Sequence, residues 1–117
     1  MIEYTSIDLD DLNSNSFYEV PGDSLISISV SDNAASTGYS WELIENECGV
    51  RFDFVDEDYL VPEPMMPGAP STKIWYFETL PPEANYVRGA PCDVTFARGR
   101  SWESSYIDTR TVTVSVN

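Results

Sequence analysis

Hydrophobic and polar residues alternate along two short segments of the chain. Residues 25–30 and residues 111–116 each place three aliphatic side chains on one face, with serine or threonine between them. Alternation with a period of two among β-branched residues is typical of a strand that buries one face. The pattern predicts burial of Ile26, Ile28, Val30, Val112, Val114 and Val116.

Further short segments have the composition of strands, and turn residues separate them. These segments are residues 17–20, 40–45, 50–55, 73–79 and 92–98, with Phe52 and Phe54 on one face of the third. Pro21-Gly22-Asp23 separates the first two predicted strands, since proline presets φ and glycine tolerates a positive φ. No window of eleven or more residues has the periodicity of an amphipathic helix.

Together these segments predict an all-β fold, an immunoglobulin-like β-sandwich of about seven to eight strands with Greek-key connections. A length of 117 residues suits one such domain. We assign residues 17–117 to the sandwich. Residues 1–16 are acidic and become polar after Ile7, and they form either an N-terminal extension or an additional strand.

The net charge of the chain limits the kinds of molecule that it is expected to bind. Twenty acidic residues oppose six basic residues, and the net charge is −14. Such a surface repels the phosphates of nucleic acids and favours a basic partner. One alternative follows from the acidity itself, because an acidic protein can mimic DNA and occupy a DNA-binding groove. No apolar run reaches the roughly 20 residues that a membrane span needs, so we expect no membrane partner.

The chain contains no histidine, which removes the commonest general base and the commonest metal ligand. No Ser-His or Cys-His pair can form, so we expect no enzyme activity, no metal and no cofactor. A paired-carboxylate glycosidase stays open by composition, although 117 residues leave little room for its cleft. The acidic runs at 56–58 and at 8–11 lack the spacing and the glycine of a calcium loop, which predicts solvated faces.

The two cysteines, Cys48 and Cys92, are 44 positions apart and form no CxxC motif. They suit either one disulfide in a secreted chain or two buried thiols in a reducing compartment. Residues 1–11 lack the basic start of a signal peptide, so two thiols are the preferred interpretation. We therefore expect a cytoplasmic or vesicular protein, or a trimmed secreted form.

Three irregular segments lie between predicted strands. The first loop is residues 32–39, the second loop is residues 60–71, and the third loop is residues 99–108. They follow the second, fourth and sixth predicted strands. Because alternate connections of a Greek-key sandwich emerge at the same end, the three loops are predicted to lie together.

Two of these loops carry recognisable motifs. The first contains Thr37-Gly38-Tyr39-Ser40-Trp41, and the third contains Arg100-Ser101-Trp102-Glu103. In order and spacing these motifs resemble the first and third loops of the chagasin-like inhibitors of cysteine peptidases (family I42), with serine at 101 where that family has proline. The second loop keeps only Gly68 of the family's Gly-x-Gly-Gly. The resemblance covers residues 17–117.

The resemblance implies a reversible, tight-binding inhibitor that occludes the active-site cleft of a papain-like, cathepsin-type cysteine protease with three loops. The first loop would be the wedge, and the other two would contact opposite walls of the cleft. We expect the free inhibitor to be a monomer. The implied contact residues are Ser36, Thr37, Gly38 and Tyr39 in the first loop, Met65, Met66, Gly68, Ala69, Pro70 and Ser71 in the second, and Arg100, Ser101, Trp102 and Glu103 in the third.

The aromatic residues also permit simpler interpretations. Trp41 lies in a predicted central strand and is expected to belong to the core. Trp102 lies in a polar, charged loop, which favours a contact role, while Arg100 either contacts a partner or pairs with a surface carboxylate. Because fold alone does not set function, an adhesive module that binds carbohydrate or protein stays open, with exposed Trp75, Tyr76 or Trp102 stacking on sugars.

Overall fold

The computed structural model describes residues 3–9, 15–32, 38–61, 71–81, 90–100, 102–103 and 105–117. A turn of 3-10 helix spans Gly49–Arg51. Across these ranges no helix combines the length and the hydropathy of a membrane span. The strands are β1 (Glu3–Asp8), β2 (Asn15–Val20), β3 (Ser24–Asp32), β4 (Tyr39–Asn46), β5 (Phe52–Leu60), β6 (Ser71–Thr79), β7 (Pro91–Arg100) and β8 (Tyr106–Val116).

The eight strands form two sheets of four, which confirms the predicted all-β sandwich. The first sheet has the order β1-β3-β6-β5 and the second has the order β2-β8-β7-β4. β1 pairs in parallel with β3, and β2 pairs in parallel with β8. The other neighbours are antiparallel. β1 lies N-terminal to the first strand predicted from the sequence, residues 17–20.

The core lies between the two sheets and follows the alternation read from the sequence. The six aliphatic positions predicted to be buried on β3 and β8 are all at most 3% exposed. Trp75 on β6 crosses the sandwich to contact Phe96 on β7, with ring centroids 4.5 Å apart. Phe52 stacks on Phe77 at 4.4 Å. Each such side chain contributes about 1.5–3 kcal/mol through its burial.

The fifth strand differs most from its prediction. Val50 was expected to begin it, but Val50 lies in the 3-10 turn and is 68% exposed. The strand instead runs on to Leu60 through the acidic run, whose side chains are exposed as predicted. β5 is an edge strand, so both of its faces and one side of its backbone can meet water. Phe54 accordingly stays 39% exposed although it shares a side with buried Phe52.

The two cysteines are joined in a disulfide, with Cα atoms 5.1 Å apart. The preference for two buried thiols was therefore wrong. β4 and β7 are antiparallel neighbours, and Asn46 at the end of β4 pairs with Val94 near the start of β7. This pairing brings Cys48 beside Cys92, a proximity that a signal-peptide argument cannot detect.

Candidate functional site

Two of the three loops leave the first sheet at the same end. Asp32, the last residue of β3, pairs with Ser71, the first residue of β6. Leu60, the last residue of β5, pairs with Thr72. The connections from β3 to β4 and from β5 to β6 therefore begin side by side.

The second sheet brings the third loop to the start of β4. Tyr39, which opens β4, pairs with Arg100, which closes β7. Gly99 pairs with Tyr106, the first residue of β8. The first and third loops are thus neighbours across a strand pair.

A buried carboxylate links the two sheets at this end. Oδ2 of Asp32 accepts a hydrogen bond of 3.2 Å from the backbone N–H of Trp41. Asp32 is 2% exposed and Trp41 is 6% exposed, which confirms Trp41 as a core residue. The bond connects β3, which precedes the first loop, with β4, which follows it. The strand ends that flank the three loops therefore lie at one end of the sandwich, called the loop end below.

The first loop meets the third loop at Gly38. Its φ is +77°, in the left-handed region that favours glycine. A Cβ built on Gly38 would lie 2.6 Å from Cη2 of Trp102, so the indole ring occupies the space that a side chain would need. Trp102 nevertheless remains 70% exposed. One part of the ring is braced by the first loop, and the rest is open to a partner.

Arg100 connects the residues around this contact. Its guanidinium carbon lies 4.0 Å from the ring centre of Tyr39 and 5.7 Å from that of Trp102. Its Nη1 donates a 3.2 Å hydrogen bond to Oε1 of Glu103, so it does pair with a surface carboxylate. The backbone N–H of Glu103 also donates to the carbonyl of Arg100 at 3.1 Å, which closes a tight turn around Trp102.

The predicted contact residues that the structure describes fall into two groups. Gly38, Tyr39, Arg100, Trp102 and Glu103 come together in one patch, called the tryptophan patch below. Ser71 does not join it, because this residue is buried at the start of β6, with 9% of its surface exposed. The remaining contact residues lie outside the described ranges, and they are Ser36, Thr37, Met65, Met66, Gly68, Ala69, Pro70 and Ser101.

Sequence reasoning missed one residue of the loop end, Asp32. The signal was available, because residue 32 continues the alternation of Ile26, Ile28 and Val30 and so faces the interior. A carboxylate at an inward position needs a hydrogen-bond donor. It was instead assigned to the loop because of its polarity.

The tryptophan patch has the chemistry of a binding surface. Aromatic residues and arginine dominate protein–protein hot spots because they bury a large area at low entropic cost. Within the described part of the chain, no group of three His, Cys, Asp or Glu side chains is arranged to hold a metal ion. Trp75 is 1% exposed, so its proposed stacking on sugars was wrong. A β-sandwich that presents a braced tryptophan on its end loops defines a loop-based binding module.

The family of this module follows from its sequence. The family model described as "Chagasin family peptidase inhibitor I42" matches residues 19–116. The chain therefore belongs to the chagasin family of peptidase inhibitors. No curated protein sequence matches it significantly.

Solved structures share its fold at low sequence identity. The cysteine protease inhibitor EhICP2 from Entamoeba histolytica has a TM-score of 0.73 at 16% identity, covering 99% of this chain and 97% of that one. Amebosin has a TM-score of 0.67 at 19% identity, with coverages of 97% and 98%. PbICP-C, solved in complex with falcipain-2, has a TM-score of 0.67 at 14% identity, with coverages of 97% and 99%.

Proposed function

We propose that this chain is a reversible, tight-binding inhibitor of papain-like cysteine proteases that occludes the active-site cleft with its loop end. The observation that carries this proposal is the exposed indole of Trp102, held against Gly38 beside the Arg100–Tyr39 pair. The same patch lies in the motifs that resemble the family's loops. Membership of a family of peptidase inhibitors supplies the class of target.

The first loop would act as the wedge. A papain-like cleft is narrow and holds a thiolate and an imidazolium at its base. Gly38 places backbone without a side chain at the tip of β4, and backbone of this kind can approach a reactive centre closely. The third loop would then lay Trp102 against one wall of the cleft, with Arg100 as its polar brace.

Anchored loop ends favour binding without cleavage. The Asp32–Trp41 hydrogen bond joins the two strands that flank the first loop, and the Tyr39–Arg100 pair ties that loop to the third. A substrate must extend across the thiolate and place its carbonyl in the oxyanion hole. Loops anchored in another geometry resist that arrangement, and little ordering entropy is lost when they bind.

Relatives of the same fold support this assignment. EhICP2 is a cysteine protease inhibitor, and PbICP-C was solved in complex with falcipain-2. An inhibitor interface of standard size buries about 1,600 Å² in total, which several loops at one end of a small sandwich can supply.

The test is a titration of papain and of a cathepsin-L-like enzyme with the purified chain, read with a fluorogenic peptide. We expect a stoichiometric loss of protease activity while the inhibitor stays intact on a gel. Absence of inhibition at micromolar concentration across several papain-like enzymes would contradict the proposal. Steady cleavage of the chain with recovery of activity would contradict it as well, since it would mark a substrate.

A further inference from the structure

Three adjoining hollows lead from the third loop across edge strand β4 to edge strand β5. Their volumes are about 220, 350 and 340 Å³. The first lies beside Arg100 and Glu103 and shares Glu42 with the second. The second shares Glu57 and Lys73 with the last. We call these three adjoining hollows the acidic furrow.

The furrow has an excess of negative charge. Four carboxylates line it, and two cations oppose them. Arg100 is already paired with Glu103, and Nζ of Lys73 lies 5.6 Å over the ring of Trp75. In the described part of the chain, neither Glu42 nor Glu57 has an ion-pair partner. The furrow thus presents carboxylates that a cationic side chain can neutralise.

The middle of the furrow combines charged and apolar side chains. Leu43 of β4 and Phe54 of β5 line it between the two glutamates. Phe54 is 39% exposed. The aliphatic stem of a lysine or arginine buries well against such side chains while its charged head reaches a carboxylate.

Two backbone donors of β5 are already bound by neighbouring carboxylates. The N–H of Glu57 donates to Oδ1 of Asp56 at 2.8 Å, and the N–H of Tyr59 donates to Oδ1 of Asp58 at 2.9 Å. Glu57 and Tyr59 are two residues apart on edge strand β5, so their N–H groups point to the same side of the strand. Because local carboxylates already occupy them, a partner gains more from side-chain contacts in the furrow than from strand addition.

We propose that the acidic furrow is an exosite for a basic surface of the target protease, next to the cleft wall that the third loop contacts. This inference rests on the proposed inhibitory function and adds a basis for selectivity among target proteases. Glu42 is three residues beyond Tyr39 on β4, roughly 10 Å from the loop end along a strand. A partner seated on the tryptophan patch with a footprint of about 800 Å² reaches that distance.

The furrow selects proteases by the charge beside their cleft. Lysine or arginine side chains on that wall accelerate encounter with the inhibitor, and acidic side chains there repel it. The loop end supplies contacts that all papain-like clefts share, and the furrow distinguishes among them.

The test compares two double variants of equal charge change. Glu42→Gln/Glu57→Gln removes the unpaired carboxylates of the furrow. Glu19→Gln/Glu47→Gln removes two exposed carboxylates elsewhere, on β2 and after β4, and is the matched control. Association rates are measured against one papain-like enzyme with a basic cleft rim and one with an acidic rim, at low and at high salt.

For the basic-rimmed enzyme at low salt we expect the furrow variant to associate about 10-fold more slowly than the parent, and the control to change less than about twofold. The difference should largely vanish at about 0.5 M salt. Equal behaviour of the two variants, while the parent chain inhibits, overturns the exosite alone. Failure of the parent chain to inhibit either enzyme overturns the proposed function and the exosite together.

Discussion

The indole of Trp102 lies where a side chain at Gly38 would stand, with Cη2 2.6 Å from the position of a Cβ at that glycine. The contact joins the first loop to the third, so the two loops do not take their positions independently. Each loop is stiffened by the other before a protease arrives. Preorganisation of this kind lowers the entropic cost of binding.

Replacing Gly38 with alanine should therefore weaken inhibition more than it weakens the fold. The Cβ would displace the exposed Trp102 ring, and the positive φ would cost about 1 kcal/mol. Gly49→Ala is the matched control, because Gly49 has a φ of +60° and nothing within 4 Å of an added Cβ. We expect similar thermal midpoints for the two variants and a loss of protease affinity for Gly38→Ala alone. Equal affinities would show that the contact with Trp102 is not used.

Truncation of Trp102 should separate binding from stability. The side chain is 70% exposed, so Trp102→Ala should change the free energy of unfolding by no more than about 0.5 kcal/mol. A hot-spot tryptophan contributes at least about 2 kcal/mol, which is roughly a 30-fold loss of affinity. Phe17→Ala, which removes a 57% exposed ring from β2, is the control and should inhibit like the parent. Trp102→Ala with undiminished inhibition would remove the third loop from the interface.

The buried carboxylate of Asp32 should support both the fold and the first loop. Asp32→Ala leaves the Trp41 N–H without this acceptor, which should cost about 1–3 kcal/mol of unfolding free energy. Asp32→Asn keeps an acceptor oxygen and should retain most of the stability and of the inhibition. Urea unfolding and protease titration of both variants measure the two effects. An alanine variant as stable as the parent would show that the hydrogen bond is dispensable.

Removal of the disulfide should lower stability and leave inhibition intact. Cys48 and Cys92 close a loop with a separation of 44 residues, for which the chain-entropy estimate is about 4 kcal/mol. They lie beyond the Asn46–Val94 pair, whereas the loop end is at the Tyr39–Arg100 pair. The double variant Cys48→Ala/Cys92→Ala should melt at a lower temperature and, while folded, inhibit as tightly as the parent. Weaker inhibition by a variant that is still folded would indicate that strain reaches the loops from the opposite end.

The sequence predicts a strand correctly when one face of the strand is buried and the other is more exposed. β3 and β8 have one buried and one less buried face, so their alternation is visible and their core residues were predicted correctly. β5 is an edge strand with exposed residues on both sides, and its extension through the acidic run has no periodic signal. On β6 the aromatic residues are continuous, so the pattern alone does not say that Trp75 faces inward.

The sequence predicts which loops form the candidate site, but it does not predict which side chains of those loops touch one another. Strand order alone brings the three connections to one end, as expected. The position of Trp102 over Gly38 and of Arg100 over Tyr39 depends on the register of β4 against β7, which places Tyr39 opposite Arg100. No local pattern encodes that register. The choice between a Cys48–Cys92 disulfide and two thiols, which the sequence left open, depends on the same register.

The parallel pairing of β2 with β8 has a consequence for how the protein is made. β2 (Asn15–Val20) pairs with residues 111–116, so the second sheet joins two segments that are far apart in the sequence. This sheet cannot close until residues 111–116 have left the ribosome. A sheet that depends on such distant segments folds slowly, because the entropy of closing a long loop is lost before the stabilising contacts between the strands can form. The second sheet therefore stays open while the residues between β2 and β8 are being synthesised, and chaperones can bind the nascent chain during that interval.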